Sequence, residues 1–184
     1  AKDSIVSYFS DAVNTKMHDA TPIFTADGKT MYFTRNITKK NGKRDKNKAK
    51  VSVLQIYKAE MVEGKWTNII SLPINNPDYS VAHPALSPDG KTLYFASDMP
   101  GSLGSFDIYS VEVNGGSFGT PKNLGDKINT NRREQFPFVS KDGKLYFSSN
   151  GHEGFGSLDV FVSDINGGNY TKPINVGLPI NTGV

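Results

Sequence analysis

Asp107 and Asp159 stand 52 residues apart, each directly before an apolar run (Ile108-Tyr109, Val160-Phe161) and each behind a glycine-containing stretch. Two carboxylates brought together by folding would be a general acid and base, or ligands of a hard cation beside the glycine loops. A carboxylate repeated at one place in a recurring unit has a simpler use, which is to accept backbone or hydroxyl hydrogen bonds where a strand begins. The corresponding place earlier in the chain holds Gln55. The expectation for both aspartates is therefore structural. Asp27, Asp89 and Asp142 are each followed by glycine, and a tight hairpin accounts for both residues, because Asp tolerates and Gly adopts positive φ.

The remaining polar chemistry is sparse. His18, His83 and His152 fall at three different places relative to the Asp-Gly pairs, with no His-x-x-x-His spacing, so a repeated ligand set is not expected. There is no cysteine, which excludes disulfides, thiolate metal sites and thiol nucleophiles. The one Gly-x-Ser-x-Gly match, Gly115-Gly116-Ser117-Phe118-Gly119, falls in the turn that opens a fourth strand and not at a strand-to-helix nucleophile elbow, and no Walker-type phosphate loop occurs. No catalytic residue, metal or cofactor is expected.

The elements that carry these residues repeat. Pro22–Phe33, Pro84–Phe95 and Pro137–Phe147 each run from a proline through Asp-Gly-Lys to a Tyr-Phe pair. A period near 50 residues marks a repeat architecture in which each unit buries its faces against its neighbours. Each unit reads as four short strands: one around the proline, a second after Asp-Gly, a third at Gln55–Ala59, Asp107–Val111 or Asp159–Ser163, and a fourth. The fourth opens on Trp66, Phe118 or Tyr170 and closes near Leu72, Leu124 or Val176. Four hairpin-linked strands per unit make a blade of a β-propeller, an all-β fold of antiparallel four-stranded blades. Consecutive apolar residues in the second strand (Leu93-Tyr94-Phe95-Ala96) predict a sheet covered on both faces. Residues 1–18 read as the tail of a preceding unit, and 19–80, 81–133 and 134–184 as three blades. Val13-Asn14-Thr15, Ile74-Asn75-Asn76, Ile128-Asn129-Thr130 and Ile180-Asn181-Thr182 mark the same phase. Because propellers hold about 4 to 8 blades, three are expected to belong to a larger ring.

Composition agrees with a turn-rich β fold: 36% hydrophobic and 21% charged residues, with 18 Gly and 10 Pro in 184 residues. No apolar run approaches the roughly 20 residues of a membrane span, and no export signal opens the chain, so one would have been removed or lie elsewhere. The net charge of +3 is uneven. Seven cations against Asp45 between Ile37 and Lys50 give that segment a charge of +6, so the rest of the chain carries −3. A general nucleic-acid-binding surface is not expected.

Pro84-Ala85-Leu86-Ser87-Pro88-Asp89-Gly90-Lys91-Thr92-Leu93-Tyr94-Phe95-Ala96-Ser97 resembles the WD-like propeller repeat of TolB and its relatives. Pro100–Tyr109, Asn123-Leu124-Gly125 and Gln135–Phe138 are similar to envelope proteins of Bacteroidota that place a propeller between helical repeats and a C-terminal OmpA-like domain. The resemblance spans residues 19–184. It implies a periplasmic, outer-membrane-associated scaffold, with peptidoglycan held by another domain and, in some members, a part in type IX secretion or gliding. Envelope proteins of a secretion or outer-membrane complex are the implied partners. The second and third units depart from the group's usual Gly-Gly before Asp-Ile-Tyr, reading Gly-Ser-Phe and Gly-Ser-Leu.

Since repeated residues hold blades together, partner specificity is sought where the units differ. From Phe33 to Ile56 is 23 residues, against 13 in each of the other two units, so a basic insert lengthens one loop between second and third strands. It reads as a solvated loop, or as a docking finger for an acidic partner, anionic lipid or anionic glycan. The partner-binding expectation covers Arg35, Asn36, Lys39, Lys40, Lys43 and Arg44 in the first unit. It extends to Asp98 and Met99 in the second, and to Asn150 and His152 in the third. Two other functions compete with a protein-interaction module: a propeller gating a serine peptidase, and a glycan-binding module. The latter requires exposed aromatics, whereas Tyr32, Phe33, Tyr94, Phe95, Tyr146 and Phe147 recur at strand positions and read as core.

Overall fold

A computed structural model of the protein describes residues 9–38, 43, 45–47 and 50–183. Three antiparallel sheets follow one another along the chain. The first holds β1 (Asp19–Phe24), β2 (Thr30–Asn36), β3 (Leu54–Val62) and β4 (Lys65–Ser71) in that order. The second holds β5 (Val81–Leu86), β6 (Thr92–Ser97) and β7 (Asp107–Asn114), with the short β8 (Ser117–Phe118) and β9 (Lys122–Asn123) both paired to β7. The third repeats this with β10 (Glu134–Val139), β11 (Lys144–Ser149) and β12 (Asp159–Asn166), flanked by β13 (Asn169–Tyr170) and β14 (Ile174–Asn175). These are propeller blades, with β5 lying against both β1 and β10.

The fourth strand differs from its sequence expectation. It is continuous only in the first blade. In the other two, Pro121 and Pro173 interrupt it, because proline has no N–H to give the ladder. A side chain restores the edge. Asn129 accepts from the Ile108 N–H (2.7 Å) and donates to the Ile108 carbonyl (2.9 Å). Asn181 does the same to Val160, at 2.8 Å each way, and Asn75 to Ile56. The recurring Ile-Asn pair is therefore a cap that closes each blade.

The Asp-Gly turns also differ in detail from a two-residue hairpin. Gly28 has φ +68° while Asp27 does not enter the left-handed region. The loop closes with Thr25 N–H donating to the Thr30 carbonyl (2.9 Å), and the Asp27 carboxylate accepts from the Thr25 hydroxyl (2.6 Å) and the Lys29 N–H (3.0 Å). Ser87 and Asp89 repeat these bonds. The aspartate is selected as an acceptor, and the hydroxyl partner holds Asp27, Asp89 and Asp142 below the usual carboxylate range.

The strand pleat sorts the core. Leu93 and Phe95 face the first sheet and pack with Tyr32, Ile56, Leu72 and Tyr109. Tyr94 and Ala96 face the third, with Ile128, Leu145, Phe147 and Phe161. Val13 covers the far side of the first sheet over Met31, Phe33 and Trp66. The third sheet keeps its far side open among the described residues: Phe138 is 59% exposed and Tyr146 half-buried. The two-faced burial expected of second strands holds for β2 and β6, whereas β11 alternates between buried and half-buried residues.

Candidate functional site

The repeated aspartates sit at the entrance of their third strands, as strand-entry acceptors. Asp107 takes the Leu103 N–H (2.7 Å) and Gly104 N–H (3.0 Å), and its Oδ2 also accepts from the Asn123 amide (2.7 Å). Asp159 accepts from the Phe155 and Gly156 N–H groups. Both carboxylates are buried. Each folds the preceding glycine loop back onto its own blade, and glycine is needed for the approach. A Cβ on Gly154 would lie 1.9 Å from Asp159 Oδ2, and one on Gly104 2.1 Å from the Arg132 carbonyl oxygen. With their oxygens directed at amides, these carboxylates work as clamps. No group of three metal-ligating side chains forms among the described residues.

The loops between second and third strands share one rim with the connectors that lead into each first strand. Of the sequence-derived rim residues, Arg35 and Asn36 turn inward. Arg35 donates to Asp19 (2.5 Å) and to the Val13 carbonyl (2.5 Å), with its guanidinium over the Phe33 and Tyr57 rings. Asn36 is 6% exposed and donates to Ser52. Both are the last residues of β2, where the pleat and the neighbouring chain enclose them. His152 is half-buried, its Nε2 2.8 Å from the Ile128 carbonyl and its ring 5.1 Å from that of Phe161. Met99 packs against the core between the first two sheets. Asp98 and Asn150 are exposed, though each accepts a backbone N–H, from Ser80 (2.6 Å) and Arg133 (3.1 Å). Lys43 is exposed, and Lys39, Lys40 and Arg44 lie outside the described residues. Described parts of the insert are held: Asn47 bonds across to Val51 and donates to the Asp78 carbonyl (3.2 Å) of the following connector.

Two features escaped the sequence reading. Leu103 and Phe155, each four residues before its clamp aspartate, are 52% and 55% exposed. Their equivalent placement was legible, but their exposure was not. The second feature lies between the first strands. Thr21, His83 and Phe136, each preceding proline, all have φ near +50° and sit at bulges in β1, β5 and β10. They line a hollow of about 160 Å³. The His83 ring stacks on Phe136 (centroids 4.0 Å), its Nδ1 has no hydrogen-bond partner, and burial with a lesser effect of His18 lowers its pKa to about 4.

No protein-family model and no curated protein matches the chain. Solved structures do. TolB from Acinetobacter baumannii is 26% identical, with a TM-score of 0.50 over 83% of this chain and 32% of its own. A protein described as TolB from Agrobacterium tumefaciens is 22% identical, at 0.51 over 86% and 49%. A puromycin-hydrolysing peptidase of Mycobacterium tuberculosis is 17% identical, at 0.52 over 90% and 23%. The chain thus spans about a quarter to a half of these structures, and its three blades have the architecture of TolB-type and enzyme-borne β-propellers alike.

Proposed function

We propose that this chain is a non-catalytic interaction scaffold of the bacterial cell envelope, a propeller segment whose loop rim docks partner proteins. The observation that carries this reading is the fate of the repeated carboxylates. Asp107 and Asp159, the residues best placed for acid–base chemistry, are occupied by backbone amides, so what the blades repeat is structural, and the rim loops are among the places where they differ. Likeness to TolB structures supports an envelope setting. The finer reading rests on the resemblance of the Pro100–Tyr109 and Gln135–Phe138 segments. It is a periplasmic, outer-membrane-associated accessory of type IX secretion or gliding, in a larger ring, with peptidoglycan bound by another domain.

The test is in-cell photo-crosslinking from positions 43, 98 and 150, which are exposed, with position 36 as the inward-facing control. Adducts to envelope proteins from the three rim positions are expected. If position 36 alone gives adducts, or if no protein adduct forms and the protein is instead retained on purified cell wall, the scaffold reading is overturned. Peptide hydrolysis that maps to the full-length protein would favour the peptidase-gating alternative.

A further inference from the structure

Each sheet turns one face toward the sheet that follows it, and two of these three faces are covered within the chain. Tyr32 and Ile74 of the first blade are buried with Leu93, Phe95 and Val111 of the second. Tyr94 and Ile128 of the second are buried with Leu145, Phe147 and Phe161 of the third. On the third blade the corresponding side chains are open: Ile180, counterpart of Ile74 and Ile128, is 67% exposed, and Tyr146 is half-buried. A surface buried on two copies of a repeated unit and open on the third is built for the same use.

The third face is also the most apolar of the series. Phe138, Tyr146, Val162 and Ile174 are cross-strand partners in one row over it. The equivalent row has Lys58 in place of Val162 in the first sheet. In the second sheet Ser110 and Lys122 stand in place of Val162 and Ile174. Lys144 and Asp164, next along the same strands, pair with each other (2.8 Å), so neither leaves the row an unpaired charge.

The two covered faces show what a cover must bring. Each covering sheet supplies two apolar residues, two apart on its second strand, and an aromatic that opens its fourth. Phe118 meets Tyr32 edge-on with centroids 6.3 Å apart, and the Tyr170 hydroxyl reaches that of Tyr94 (3.4 Å). Tyr146 is the next tyrosine of this series, and its ring neighbour is Phe138 of its own sheet. The first sheet of a second copy does not fit as the cover, because its corresponding residues, Met31, Phe33 and Trp66, are already buried with Val13.

Resting on the larger-ring reading, we propose that the open face of the third sheet docks a further four-stranded blade of the full-length protein. That blade sets two apolar side chains of its second strand between Phe138 and Ile180, and an aromatic of its fourth strand against Tyr146. Val162 and Ile174 make this contact more apolar than either of the two inside the chain.

The chain has no cysteine, so Phe138→Cys and Ile180→Cys each place one thiol on this face, with Asn150→Cys on the rim as the exposed reference. All three positions are exposed, so the variants are expected to melt with the wild type, and the melts verify it. Maleimide labelling is followed by peptide mass spectrometry in the 1–184 chain and in the full-length protein. In the 1–184 chain, positions 138 and 180 should label as fast as position 150. In the full-length protein they should label at least about tenfold more slowly, while position 150 stays fast. Equal labelling of positions 138 and 180 in both proteins overturns the proposal. Protection within the 1–184 chain that grows with its concentration overturns it too, since a second copy would then be the cover. Crosslinking at positions 43, 98 and 150 tests the scaffold independently. Adducts there with an unprotected third face sink this contact alone, whereas a protected face without adducts sinks the scaffold alone.

Discussion

His83 makes the fold acid-sensitive, and the size of the effect follows from its surroundings. The ring is 9% exposed, stacked on Phe136, and its Nδ1 lacks a partner, so the folded protein holds it neutral with a pKa near 4 against an ordinary value of 6.5. Between those two values the unfolded chain binds a proton that the folded chain refuses, so stability falls as pH drops below about 6.5 and the loss saturates below about 4. At about 1.4 kcal/mol per pKa unit, the deficit reaches about 2 kcal/mol at pH 5 and about 3 kcal/mol at pH 4. Carboxylates also titrate in this range, so the informative quantity is the difference between wild type and His83→Phe, which keeps a ring against Phe136 but cannot protonate. Phenylalanine at φ +55° will shift the absolute stability, yet it leaves the pH slope readable. Urea unfolding at pH 7 and pH 5 should show the wild type losing about 2 kcal/mol more than the variant. Equal losses in the two proteins, or an NMR titration placing His83 near 6.5, would refute the burial argument.

Two further predictions concern the blade itself. Asp107→Ala strands the Leu103 and Gly104 N–H groups and the Asn123 amide, and should lower unfolding free energy by roughly 2–4 kcal/mol, given the strength of hydrogen bonds to charged acceptors; thermal melts by circular dichroism check it. Tyr94→Ala removes a ring buried between the second and third sheets and should cost roughly 3–5 kcal/mol, so an unchanged melting point would contradict the packing of those sheets.

How much of this was legible in the residues depends on range. Blade number, strand order and the Asp-Gly turns are readable, because each rests on local chemistry repeated three times: a proline, an acceptor-plus-glycine turn and a strand that is apolar on successive residues. Even there, the reason for the turn aspartate was misread as conformational when it is a hydrogen-bond acceptor. The fourth strands read as continuous in sequence, yet Pro121 and Pro173 interrupt them. The structural reading of Asp107 and Asp159 followed from repetition alone, while their donors had to be found in loops folded back from several residues upstream.

The set of blades follows from residue order alone, since hairpins pair residues close in the chain and their signals are local. Which rim residues turn to solvent and which turn inward depends on contacts made across the fold. Arg35 and Asn36 look like loop residues in a polar stretch, yet contacts with Asp19, Val13 and Ser52 draw them inward. Leu103 and Phe155 look like ordinary apolar residues, yet the clamps of Asp107 and Asp159 hold them outward. The direction of a side chain at a strand end is set by whichever neighbour reaches it across the fold, and that neighbour is not adjacent in the sequence.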